Sequence, residues 1–475
     1  MAREIIVAGL QHQGFIDNAT TDFEAFRAHV EPYTLEYAQR ETGVPMELIR
    51  ETAHAYATAD RAMICWTLGI TEHHNAVDNV VALINLALLT GHIGRYGSGL
   101  NPLRGQNNVQ GGGDMGALPD RLLGFQHVEN DELRAKCEVA WGVKVPPKRG
   151  LHLSGMFEAM DHGELTALYV VGENPMQSEA DHQLTRRRLE SLEFIVVQDI
   201  FLTRTAQIAD VVFPASAMWA ESEGTVTNSE RRVQRVRRAL TPPGEARDDV
   251  DIVVDLARAM GVDWGHPTAE DVWNEVRSLS PMHAGMSYAR LEAEGGLQWP
   301  CYDEQHPGEL FLHSRLWDEP CVGPRAPFSL VDHDPPVDKL DDDFPIRLTT
   351  GRRLDSYNTG VQSGGYRSPL RRGEALELAP EDMARYELHD GQRVRVRSRR
   401  GAIEVAVLSD DRLRPGLAFM TLHFPDDVAT NVLTIDATDP RSGTAEFKAT
   451  AIRIDRIAVA EPVGAGVDSR GGSGA

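Results

Sequence analysis

Three short apolar segments constrain the fold more than anything else in the chain: Ala-Leu-Tyr-Val-Val at 167–171, Phe-Ile-Val-Val at 194–197 and Asp-Val-Val-Phe-Pro at 210–214. Each is a strand-length run that ends in polar residues, with helical or turn sequence between them. That alternation predicts parallel α/β sheet, whose ligands bind at the carboxyl ends of the strands. Gly172-Glu173-Asn174-Pro175, Gln198-Asp199 and Ala215-Ser216 are thereby expected close together. At such an edge a carboxylate accepts from a guanine-like N–H edge, and backbone amides meet pyrophosphate. Taken singly, each of these segments reads equally well as an ordinary turn.

Upstream, apolar positions recur at helical spacing between Phe23 and Asp60, as in Met46, Ile49, Ala53 and Tyr56, and residues 62–70 then read as a buried strand carrying Cys65 as a core thiol. Asn75 is placed to cap a long helix that buries Val77, Val80, Val81, Ile84 and Leu88 and stops at Gly91. His73-His74 is expected to lie in solvent or ordinary packing. Asp248 caps a further helix with a face of Val250, Val253, Val254 and Ala257. Pro320 to Pro345, rich in Pro and Asp, reads as a linker. Beyond it, short alternating strands and one helix from Pro380 predict a β-barrel-like domain, with Arg393, Arg395, Arg397 and Arg399 on one solvated face. The tail Val463 to Ala475 is expected to be disordered.

Residues Gly91 to Gly116 carry nine glycines among Asn and Gln. They read as a long functional loop without helix or strand. Glycines let backbone amides approach a bulky anionic ligand, amides pair with a heterocycle, and Arg104 is suited to orienting a small anion. An amide-decorated surface loop is the plain alternative.

Net charge and cysteine count close off other classes. The balance of 48 basic against 71 acidic residues, −23, disfavours nucleic acid and anionic membranes. Cys65, Cys137, Cys301 and Cys321 are separated by 72, 164 and 20 positions, which builds no local zinc, disulfide or iron–sulfur framework. No membrane span or export signal is read, and a reduced cytoplasmic location is expected.

The segments LALLTGHIGRYGSGLNPLRGQNNVQG, YVVGENPMQSEAD, IVVQDIFLTRTAQIADVVFPAS, EGTVTNSERRVQRVR, LTTGR and NVLTIDATDPRSGTAEFKATAIRI carry a resemblance over nearly the whole chain. In that order they resemble the catalytic alpha subunit of molybdopterin-dependent formate dehydrogenases, within the dimethyl sulfoxide reductase family. The resemblance implies parallel dinucleotide-binding α/β domains followed by a double-psi β-barrel, divided at 1–105, 106–215, 216–330, 331–460 and a tail 461–475. It implies two molybdopterin guanine dinucleotides around one molybdenum or tungsten, oxidising formate or another small anion. Arg104 matches the arginine that holds formate. Gly105, Gln106 and Asn107 would line one pterin. Gly172, Asn174, Gln198, Asp199 and Thr203 would hold a guanosine and its phosphates. Arg352, Thr359, Asn431, Phe447 and Lys448 match positions that close over the pterins.

Departures from the family pattern are equally specific. The 4Fe-4S cysteine cluster and the metal-ligating cysteine or selenocysteine with its histidine have no counterpart here, so no metal ligand is assigned. Leu354-Asp355-Ser356-Tyr357-Asn358-Thr359-Gly360 replaces the family's histidines after LTTGR. The chain is expected to correspond to the C-terminal two-thirds of such a protein, leaving sheet edges and apolar faces open. Three readings stand: a catalytic subunit acting with a separate N-terminal fragment or electron-transfer subunits, an inactive remnant or cofactor-binding module, or a related molybdopterin oxidoreductase with another substrate.

Overall fold

The computed structural model describes residues 1–353, 356, 358–359 and 373–457. Leu354, Asp355, Tyr357 and Gly360, and the expected tail from Val463, lie outside the described residues. The chain divides into two units, Met1–Val337 with Asp436–Lys448, and Asp338–Ile435 with Ala449–Ala475. The division falls inside the Pro320–Pro345 stretch read as a linker. Residues 436–448, placed with the barrel by sequence, cluster with the first unit.

In the first unit, helices Phe23–Val30, Leu35–Thr42 and Met46–Thr58 follow the helical spacing, and Phe26 and Ala53 enter a core with Ile5, Phe15, Leu88, Leu89 and Phe328. Strand Met63–Trp66 pairs in parallel with Gly99–Pro102, bringing Cys65 beside Asn101. Helix Ala76–Thr90 lies between them and closes on Gly91 at φ 67°. Two expectations here need correction. Cys65 is exposed, because its side of the two-stranded sheet is uncovered. Asn75 makes no side-chain cap; its amide donates to the Asp334 carbonyl at 3.2 Å, and the Val77 amide instead donates to the Asp439 carboxylate at 3.1 Å. A distant carboxylate thus supplies the favourable negative charge at this helix start.

The three predicted strands form a parallel sheet in the order Ala167–Val171, Phe194–Asp199, Val211–Pro214, with Val171 opposite Gln198 and Asp199 opposite Pro214. One face buries Val170, Ile195 and Val197. The other leaves Tyr169, Val171 and Phe194 between 37% and 52% exposed, so open apolar faces are present as expected. Helix Asp249–Ala259 is capped by Asp248, which accepts from the Val250 amide at 3.0 Å. Its buried residues are Ile252, Val254 and Ala257, whereas Val250 and Val253 are exposed. The inward face is therefore rotated from the one read in sequence.

The second unit is a closed six-stranded barrel, ordered Ile346–Gly351, Leu417–Thr421, Ala375–Leu378, Ala402–Ser409, Arg393–Arg397 and Thr450–Arg456. Period-two alternation sends Val394 and Val396 inward to Leu348, Leu376, Val407, Met420 and Ile452, and turns Arg393, Arg395 and Arg397 outward. Asp338, almost fully buried, accepts from Arg400 at 2.6 Å and from the Ala451 amide at 2.8 Å. Burial opposes its ionisation, but these donors hold its carboxyl below the usual range. Among the described residues no helix is long and apolar enough to cross a membrane.

Candidate functional site

Strand Gly99–Pro102 delivers the chain directly into the Arg104 segment. Contrary to the loop reading, the glycine-rich stretch is partly ordered: after Asn108 in the left-handed region at φ 63°, Val109–Asp114 forms a short helix through three consecutive glycines. Close packing explains the glycine at 111, where a Cβ would stand 1.9 Å from the Asn108 Oδ1. That oxygen is already engaged, accepting from the Thr227 amide at 2.9 Å. Nearby, the Arg104 amide donates to the Ser229 hydroxyl at 3.2 Å. The two ends of the segment are therefore moored on 227–229, within the EGTVTNSERR motif.

Arg104, Gly105, Gln106 and Asn107 are all exposed. The Arg104 Nε donates to Gln110 Oε1 at 3.2 Å; Gln110 Nε2 donates to Asp114 Oδ1 at 2.9 Å; and the Trp299 indole donates to Asp114 Oδ2 at 2.8 Å. Asp114 is fully buried, and burial raises its carboxyl to about 6 against the two hydrogen bonds and the field of Arg104. Gln110 and Asp114 lie within the glycine-rich segment but are not among its expected site residues Arg104, Gly105, Gln106 and Asn107. Their spacing of four, which puts two side chains on one helix face, is the signal that identifies them.

A second group gathers at the sheet edge. Gly172, at φ 63°, donates its amide to the Gln198 carbonyl at 2.8 Å. Asn174 and Gln198 are nearly fully buried and spend their side chains inside the protein. Asn174 accepts from the Thr205 hydroxyl at 2.8 Å and donates to Gln177, while Gln198 bonds Tyr169 and Asp249. Thr203 Oγ1 accepts from the Ala206 amide at 3.1 Å. Asp199 accepts from the Phe201 amide at 2.9 Å, and burial raises its carboxyl. Close by in sequence, Glu179 is raised to about 7 by burial first and then by the like charges of Glu173 and Asp436. The structure thus brings the five predicted residues to one edge, with Asn174 and Gln198 shaping it from within.

Phe447 and Lys448 belong to the first unit. The Phe447 amide donates to the Glu72 carbonyl at 3.2 Å, and Lys448 Nζ pairs with Glu72 at 3.0 Å. Between them and the helix Ala76–Thr90 lies a buried cluster. Glu446, without exposed surface, accepts from the amides of His74 and Lys448 at 3.1 and 3.0 Å, and both His73 and His74 place Nδ1 within 3.3 Å. Of the two expected settings, His74 takes the packed one: it is buried in a turn hydrogen-bonded to Glu446. Arg352, Thr359 and Asn431 belong to the second unit; Arg352 is exposed, and Asn431 is buried with Oδ1 accepting from Thr434 at 3.3 Å.

At the sheet edge nothing stands within 4 Å of where a side chain on Gly172 would begin, and the carboxylate of Asp199 at a strand end can accept from an N–H edge. A metal is a different matter: among the described residues, no group of three or more His, Cys, Asp or Glu side chains is arranged to hold one.

Comparison with known proteins agrees with the architecture. The family model "Molybdopterin oxidoreductase" matches residues 18–259, and "Molydopterin dinucleotide binding domain" matches 346–451. The chain is 40% identical over 463 residues to the F420-dependent formate dehydrogenase subunit alpha of Methanocaldococcus jannaschii, covering 96% of this chain and 67% of that one. Against formate dehydrogenase H of Escherichia coli the identity is 36% over 464 residues, covering 96% and 64%. Acetylene hydratase from Pelobacter acetylenicus has the same fold, with a TM-score of 0.70 at 17% identity, over 96% of this chain and 69% of that structure. The chain spans about two thirds of the length of these curated relatives.

Proposed function

The chain belongs to the molybdopterin oxidoreductase family, and from that premise we propose that it forms the pterin-binding, anion-holding part of a cytoplasmic formate dehydrogenase catalytic subunit. Its cofactors would be two molybdopterin guanine dinucleotides and one molybdenum or tungsten ion. The observation that carries the reading is Arg104, an exposed guanidinium moored at the end of a parallel strand in a glycine- and amide-rich segment.

Arg104 would bind the formate carboxylate and orient it, a task suited to a permanently charged planar fork. Gly105, Gln106 and Asn107 would line one pterin. The edge built by Gly172, Asn174, Gln198, Asp199 and Thr203 would take a guanosine. Arg352, Thr359, Asn431, Phe447 and Lys448 would complete the pterin contacts. When bound, the metal–pterin group accepts the two electrons released as formate becomes carbon dioxide and a proton. The resemblance assigns none of these residues as the soft thiolate or selenolate the ion needs, which, with the cluster that takes its electrons, would come from a separate fragment or electron-transfer subunits. A second reading is a cofactor-binding module without turnover.

The test is purification from cells supplied with molybdate or tungstate, with metal and pterin quantified and formate-dependent dye reduction measured. Formate oxidation is expected with bound cofactor, and the Arg104→Ala variant should lose roughly 30-fold or more in kcat/KM, as loss of an anion-binding charge pair does. Bound pterin without turnover selects the module. Turnover unaffected by Arg104→Ala removes formate as substrate.

A further inference from the structure

We propose that Asp114 is a positioning residue for the anion site: through Gln110 it fixes which way the Arg104 guanidinium faces. The inference rests on the formate reading above and concerns how the anion clamp is held.

The argument is one of donors and acceptors. The indole N–H of Trp299 only donates, so the Asp114 oxygen it meets at 2.8 Å must accept. The other Asp114 oxygen, as part of a carboxylate, also only accepts, and Gln110 must turn its NH2 toward it at 2.9 Å. The Gln110 carbonyl oxygen is then left facing Arg104 Nε at 3.2 Å, where it accepts. Every orientation in the chain from Trp299 to Arg104 follows from Asp114 being ionised, and its complete burial leaves no water to rearrange the pattern.

Replacing the carboxylate by an amide of the same shape reverses the relay. Trp299 still claims the oxygen, so an amide at 114 presents its NH2 to Gln110. Gln110 must flip, and its own NH2 then opposes the Arg104 Nε–H, donor against donor. Protonation of Asp114 acts in the same way, because its hydroxyl becomes the group facing Gln110. The charged group whose field reaches Asp114 is Arg104. The elements packed on the helix, Leu123–Phe125 and Gly224–Thr227, bring no titratable side chain, and Gln110 and Trp299 are neutral. The reversal is therefore set by Asp114 itself, whose carboxyl stands at about 6.

The experiment uses the complete cofactor-loaded enzyme together with a direct view of the guanidinium. In ¹⁵N-arginine-labelled protein, with the Arg104 signal identified by its disappearance in Arg104→Lys, the Nε–H should be protected from exchange. That protection should fall in Asp114→Asn and in Gln110→Met, a variant that cuts the relay without placing a polar mismatch beside the buried carboxylate. In both, the KM for formate should rise about tenfold or more, as loss of one hydrogen bond to a charged group does, with kcat changed far less. The wild-type KM should climb as the pH falls through about 6, and in Asp114→Asn that step should vanish. Unchanged Arg104 protection in both variants overturns the positioning role. If Arg104→Ala leaves formate turnover intact, the formate reading fails on its own account, and the exchange measurement still decides whether Asp114 orients the arginine.

Discussion

Removing the Glu446 carboxylate should release the 436–448 segment from the turn at 72–75, and with it the candidate pterin contacts Phe447 and Lys448. Glu446 is fully buried and accepts from two backbone amides as well as from His73 and His74. In Glu446→Ala both amides lose their acceptor. At roughly 1 to 3 kcal/mol for each stranded donor, the loss is about 2 to 6 kcal/mol, which brackets the ~3 to 5 kcal/mol typical of breaking a buried ion pair from one side. Glu446→Gln keeps one acceptor oxygen and should lose less, roughly half of this.

Native-state hydrogen exchange on peptides spanning 70–80 and 436–448 reads this directly. A loss of about 3 kcal/mol is a fall of roughly 100-fold in protection, and the barrel peptides serve as the internal control. The pH dependence has a definite sign. Burial works against ionisation of Glu446, but His73 and the two amides outweigh it and hold the carboxyl below its ordinary 4.5. A depressed carboxyl contributes stability that is fully present above that ordinary value and is lost as the pH falls through the lower folded one. The clamp should therefore hold at pH 7 and weaken only below about 4.5, and Glu446→Gln should abolish that acid step. Protection in both peptides that changes less than tenfold in Glu446→Ala would refute the reasoning, since it would mean that the segment is held by its other bonds, such as Asp436 to Arg188 and Asp439 to Val77.

Gly111→Ala should push the Asn108 side chain off the Thr227 amide and destabilise by about 1 to 3 kcal/mol, with a raised KM for formate; a melting temperature and KM equal to wild type would contradict the packing argument. Leu376→Ala, at a barrel position with no exposed surface, should cost roughly 2 to 5 kcal/mol in urea unfolding followed by circular dichroism; a loss under about 1 kcal/mol would mean the barrel interior is not closed around it. The open face of Tyr169, Val171 and Phe194 should bind the dye ANS, and Val171→Thr should lower that fluorescence without lowering the melting temperature; equal fluorescence would place the dye elsewhere.

What the sequence made legible were features written within one or two turns of chain. The strands Ala167–Val171, Phe194–Asp199 and Val211–Pro214 announce themselves by β-branched runs with polar ends, and the outward arginines of Arg393–Arg397 by strict alternation. A strand's local pattern does not say whether its second face will be covered, and so Cys65 reads as a core thiol although it lies exposed. The helix through Gly111, Gly112 and Gly113 was illegible for a related reason. Its residues are poor helix formers, and what stabilises it lies elsewhere: Thr227 on the Asn108 side chain and Trp299 on Asp114.

The residues that matter most to the candidate site were hidden by sequence distance more than by chemistry. His74 and Glu446 are 372 positions apart, Asp114 and Trp299 are 185 apart, and Val77 and Asp439 are 362 apart. In each case a buried or helix-end polar group finds a partner that no local periodicity announces, yet the need for one is predictable, because leaving such a group unpaired costs about 1 to 3 kcal/mol. A carboxylate four residues from an amide in a glycine-rich stretch is therefore a usable signal in itself. Once the short helix forms, Asp114 is held from within, and the arginine ten residues before it inherits its orientation from that bond.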